Sequence, residues 1–87
     1  MENRWMIELR FEEDGTRTMA TATVTGSGAP EVRGHGYARR NPADAPDSCV
    51  GEEIAAARAL SNLSHELVDA AAQRIEEQTH RPARLHV

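Results

Sequence analysis

The segment Trp5-Met6-Ile7-Glu8-Leu9-Arg10-Phe11-Glu12 alternates between apolar and polar side chains and is followed at once by Asp14-Gly15. Alternation with a period of two is the mark of a strand that buries one face. Asp-Gly is a strong hairpin signal, because a type I′ turn needs positive φ at both central residues. The two features together commit the start of the chain to an antiparallel hairpin. Its second strand is the threonine-rich stretch 17–25, whose β-branched side chains suit a pleated surface. Gly26-Ser27-Gly28-Ala29-Pro30 reads as a loop, and Val32 to Arg39 as a third strand.

Pairing tests this reading. A turn centred on Asp14-Gly15 sets Phe11 opposite Thr18, Leu9 opposite Ala20, Ile7 opposite Ala22 and Trp5 opposite Val24. The apolar faces of the two strands then coincide, which a one-residue slip would destroy. A loop over 26–30 sets Val24 opposite Val32, Ala22 opposite Gly34, Ala20 opposite Gly36 and Thr18 opposite Ala38. One sheet face is thus bulky on the first strand and small on the other two. That taper leaves room for a helix lying close over Gly34 and Gly36.

Asn41-Pro42-Ala43-Asp44-Ala45-Pro46 interrupts regular structure. A helix is expected from about Gly51 to Thr79, ending before Pro82. At ~100° per residue, Ile54, Leu60, Leu63, Leu67, Val68 and Ile75 share one half of the wheel. Arg58, Asn62, His65, Glu66, Asp69, Gln73, Glu76 and Glu77 share the other. The phase holds throughout, which favours one continuous helix over one broken near Ser61–Ser64 or Ala70–Gln73. Such a helix spans about 40 Å and the strands about 30 Å, so it overhangs the sheet by roughly two turns. Overhang and the wide apolar arc point to a homodimer that covers Leu67, Val68 and Ile75. The whole chain, residues 1–87, is one α+β domain: a three-stranded antiparallel meander followed by a long C-terminal helix.

Composition narrows the function. The single cysteine, Cys49, excludes an intrachain disulfide and fits a reducing compartment. It precedes Glu52 and Glu53, whose charge opposes thiolate formation, so a buried or inert thiol is expected. The charged start Met1-Glu2-Asn3-Arg4 is unlike a signal peptide, and no apolar run could span a membrane. A cytoplasmic location follows as an expectation, with no membrane partner. His35, His65, His80 and His86 are scattered, without the paired spacing of a metal site. Glu8 and His35 fall two strands apart, about 9.5 Å, too far for a catalytic dyad. The chain is therefore read as a non-enzyme with no cofactor, no metal and no small-molecule substrate.

Net charge is −4, and all ten basic residues are arginines. The outward face of the third strand nevertheless gathers Arg33, Tyr37 and Arg39, with Arg40 beside it and Arg17 across from Arg39. Guanidinium groups bind phosphate in bidentate fashion and aromatic rings stack on bases. Those five residues form a candidate RNA-binding set. The competing assignment pairs Arg39 and Arg40 with Asp44 and Asp47.

Three stretches carry a family likeness: Gly34-His35-Gly36-Tyr37-Ala38-Arg39-Arg40-Asn41-Pro42-Ala43-Asp44, Gly51-Glu52-Glu53-Ile54-Ala55-Ala56-Ala57-Arg58-Ala59-Leu60-Ser61-Asn62-Leu63, and Ile75-Glu76-Glu77-Gln78-Thr79-His80-Arg81-Pro82-Ala83-Arg84-Leu85. The chain resembles, from about Trp5 to Leu85, a family of small actinobacterial proteins of unknown function. The resemblance implies a fold like the double-stranded-RNA-binding domain without its first helix, homodimers, and a link to dormancy or hypoxic stress. It also implies likeness to ribosome-hibernation-promoting factors, and supplies no catalytic residue. The leading expectation is a stress-associated protein that associates with the ribosome or RNA. The alternative is a homodimeric protein–protein adaptor with no nucleic-acid role.

Overall fold

A computed structural model describes residues 1–40 and 48–86. The chain forms β1 (Trp5–Asp14), β2 (Arg17–Gly26), β3 (Arg33–Arg39) and one helix, α1 (Ser48–Thr79). The strands make an antiparallel sheet in the order β1-β2-β3. The expected α+β meander and unbroken helix are both present. The helix begins at Ser48, three residues before the expected Gly51, and it passes close over β2 at that glycine, where a Cβ would come 3.0 Å from Thr18 Oγ1.

Between β2 and β3 the pairing is as expected, with Thr18 opposite Ala38, Ala20 opposite Gly36 and Ala22 opposite Gly34. Between β1 and β2 it is displaced by two residues. Ile7 lies opposite Val24, Leu9 opposite Ala22, Phe11 opposite Ala20, and Asp14 opposite Arg17 closes the hairpin. The cause is the turn. Gly15, with φ of 61°, takes the first central position and Thr16 the second, and Thr16 has no positive φ. That is the type II′ pattern, which asks positive φ of the glycine alone and spares Asp14 the left-handed region. A shift of two leaves each side chain on its expected face.

Small residues set the distance between layers. The core is Ala20, Ala22, Val24, Ala38, Ala55, Ala59 and Leu63, with Leu9, Ala29, Val32 and Leu67 packed against it. The helix backbone rests on β3 without intervening side chains. A Cβ on Gly36 would run into the backbone of Ala55 and Ala59, and one on Gly34 into that of Ala59 and Leu63. The contact stripe Ala55, Ala59, Leu63 repeats every four residues, one face of a helix.

The helix lies over β3 and β2 and leaves β1 to one side. Each four-residue advance along α1 covers about 6 Å, or about two strand residues. Leu67 therefore lies level with Val24 and Val32, and about two turns past Ala71 project beyond the sheet. The molecule accordingly measures 54 Å along its longest axis. His80, at φ 57°, ends the helix in a left-handed cap and donates its N–H to the Glu76 carbonyl at 2.7 Å. Ala83 then donates to Glu76 Oε1 at 2.9 Å, holding the tail against the helix end.

Candidate functional site: two uncovered faces of the sheet

The outward face carries Arg17, Arg33, Tyr37 and Arg39 of the candidate RNA-binding set, and the pairing divides them. Its cross-strand rows are Glu8–Thr23–Arg33, Arg10–Thr21–His35, Glu12–Met19–Tyr37 and Asp14–Arg17–Arg39. Arg17 places its guanidinium carbon 4.3 Å from the centre of the Tyr37 ring, a cation–π stack. Arg39 lies opposite Arg17, and Arg40 follows, with its N–H on the Thr16 carbonyl at 2.7 Å. Arg33 is six residues from Arg39, about 20 Å along the strand, so it stands apart from the other four. Asp14, rather than Glu12, is the acidic neighbour of Arg17. The loop carboxylates Asp44 and Asp47 lie outside the described residues.

At the Arg33 end, Glu8, Arg10, Glu12, Thr21, Thr23, Arg33 and His35 line a shallow groove of about 280 Å³. Thr21 Oγ1 and His35 Nδ1 share a hydrogen bond of 3.2 Å across its floor. Glu8 belongs to the row of Arg33, one row away from His35, so the two come no nearer to a dyad than the sequence implied. Among the described residues there is no group of three metal-ligating side chains. Cys49, expected to be a buried or inert thiol, is exposed rather than buried. Among the described residues no helix is long and apolar enough to cross a membrane.

On the helix side the finding is an uncovered strand. Trp5, Ile7 and Phe11 point toward the helix layer, yet they remain 47%, 52% and 37% exposed because α1 sits over β2 and β3. The Trp5 indole N–H is tied to the Ser27 carbonyl at 3.0 Å, which holds the ring at the end of this strip. Leu60 lies on the helix flank that faces β1 and is also exposed. Of the residues assigned to a dimer contact, Leu67 packs on its own core, Val68 is half-buried, and Ile75 is exposed on the projecting turns.

The two sheet edges differ. Arg58 donates to the Tyr37 carbonyl at 2.6 Å, and Asn62, one turn on, donates to the His35 carbonyl. Both carbonyls point away from β2, so helix side chains close the free edge of β3. The sequence had assigned Arg58 and Asn62 to the solvated half of the helix. The signal that could have found them is their four-residue spacing beside the alanine stripe. Among the described residues no helix runs along the β1 edge.

Matches to known proteins cover nearly all of this architecture. The model of the Rv2632c-like family matches residues 3–84. The uncharacterised protein Rv2632c of Mycobacterium tuberculosis is 42% identical over 76 residues, covering 87% of this chain and 81% of that protein. The uncharacterised protein Mb1767 of Mycobacterium bovis is 37% identical over 81 residues, covering 93% and 85%. The crystal structure of Rv2632c superposes with a TM-score of 0.80 at 38% identity, covering 94% of this chain and 96% of that one. With motifs, length and fold all in agreement, the chain belongs to the Rv2632c-like family.

Proposed function

We propose that this protein is a non-enzymatic, homodimeric protein–protein interaction module. The observation that carries the reading is the apolar strip of Trp5, Ile7 and Phe11, left open on an otherwise packed layer. A small domain with so modest a core gains from covering such a strip, and a second copy is the simplest cover. The exposed Ile75 on the projecting helix extends the surface available to the same partner. Sedimentation equilibrium at tens of micromolar tests it. A dimer is the expected species, and a monomer would overturn the reading.

A second reading has its own support. Arg17 stacked on Tyr37, with Arg39 opposite, puts cations and an aromatic plane at one end of the outward face, and Arg40 follows next in the chain. Such a cluster suits phosphate and base contacts. In this reading the protein associates with ribosomal RNA in stressed or dormant cells. The likeness to double-stranded-RNA-binding domains and to hibernation factors that the family resemblance implies is in keeping with it. Glu52 and Glu53 at the start of α1 would repel phosphate from the helix N-terminus, which leaves the outward face as the RNA-binding surface. Co-sedimentation with ribosomes across a salt series tests it, because phosphate contacts weaken steeply as salt rises.

A further inference from the structure

We infer that two copies join through the free edges of β1, paired antiparallel about Leu9, to make one six-stranded sheet. The inference rests on the homodimer reading above and specifies its geometry.

The alternation of backbone groups shows which residues face outward. The carbonyls of His35 and Tyr37 point away from β2, since Asn62 and Arg58 take them. Their partners Thr21 and Met19 therefore turn their backbone groups toward β1, where they meet Arg10 and Glu12. It follows that Ile7, Leu9 and Phe11 present their N–H and C=O groups to the open edge. An edge of this length with apolar side chains is a template for another strand. The β3 edge, by contrast, is closed by the helix.

Side-chain charge selects the occupant and the register. With Leu9 opposite Leu9 of a second copy, Glu8 meets Arg10, Ile7 meets Phe11, and Arg4 meets Asp14. Every charged residue with a charged counterpart then faces the opposite sign. Sliding by two residues one way opposes Glu8 to Glu8. Sliding the other way opposes Arg10 to Arg10 and Glu8 to Glu12. Like charges directly across a pair are destabilising. The run Ile7-Glu8-Leu9-Arg10-Phe11 is thus its own antiparallel complement, as an isologous two-fold contact requires. The two-fold passes through Leu9, and the apolar strips of both copies become neighbours on the helix side.

Amide exchange of the full-length chain, read residue by residue at a concentration where sedimentation shows the dimer, tests this. The N–H groups of Ile7, Leu9 and Phe11 should exchange slowly there and speed up on dilution to monomer. Charge reversal supplies a second readout. Glu8→Arg or Arg10→Glu alone should weaken the dimer roughly tenfold, and the double variant should restore it. Fast exchange at Leu9 within a proven dimer, or a double variant no tighter than the single ones, would overturn the β1 contact and leave the homodimer standing. A monomer at every concentration would overturn both.

Discussion

Gly36 and Ala59 meet backbone to backbone, with no side chain between the strand and the helix. Gly36→Val would push a branched side chain into the Ala55 carbonyl and the Ala59 amide, neither of which can rotate away. Overpacking of this kind costs about 1–3 kcal/mol or more. A thermal melt should show a clearly lowered Tm, and an unchanged one would mean that the helix does not rest on β3.

Asn62→Leu removes the donor that serves the His35 carbonyl on the free edge of β3. The site is exposed, so water replaces part of the lost bond. The expected loss is about 0.5–1.5 kcal/mol, measured by urea denaturation. No loss would mean that the helix leaves that edge to solvent.

Gly15→Ala tests the turn. There is open space around Gly15, so any cost is that of holding alanine at positive φ. That cost is about 1–2 kcal/mol. A neutral result would mean that residue 15 does not need positive φ, which would count against this type II′ turn and equally against the type I′ turn first read from Asp14-Gly15.

How much of this was legible in the sequence depends on what fixed each feature. The faces of all three strands followed from alternation alone. The β2–β3 pairing followed from one loop of unambiguous length, and the close helix contact from Gly34 and Gly36. The β1–β2 pairing was displaced because Asp14-Gly15 is compatible with two turns, and the penalty for positive φ at Asp14 decides between them. Lateral placement of the helix was not legible. A helical wheel shows which residues face inward, but not which strands lie below them. Hence the exposure of β1 and the edge bonds of Arg58 and Asn62 emerged only in three dimensions. The arginine set was half legible: Arg17, Tyr37 and Arg39 come together, while Arg33 is held apart by the length of the strand.

Leu67→Glu and Ile75→Glu separate two parts of the helix. Leu67 packs against the core, so a carboxylate there should cost several kcal/mol and lower the denaturation midpoint. Ile75 is exposed on the projecting turns, and its change should stay within about 0.5 kcal/mol for the monomer. If Ile75→Glu instead dissociates the dimer on sedimentation, the helix end belongs to the contact between copies.

Arg39→Glu/Arg40→Glu tests association with the ribosome. Wild-type protein should co-sediment at low salt and be released as salt rises, and the charge-reversed variant should fail to bind. Binding that is absent at low salt, or indifferent to the reversal, would leave the protein-adaptor reading alone.

The stripe that α1 lays on the sheet also acts as a position gauge. Side-chain size grows along it from Gly51 through Ala55 and Ala59 to Leu63 and Leu67. Slid by one turn in one direction, the helix would drive Leu63 onto the bare backbone of Gly36. Slid the other way, it would set Ala59 where Leu63 now fills the core and leave a hole. A uniform alanine stripe would permit several settings of nearly equal energy. The graded one admits a single axial stop, so the distance by which the helix end projects past the sheet is written into one glycine and four side chains along the stripe that meets the sheet.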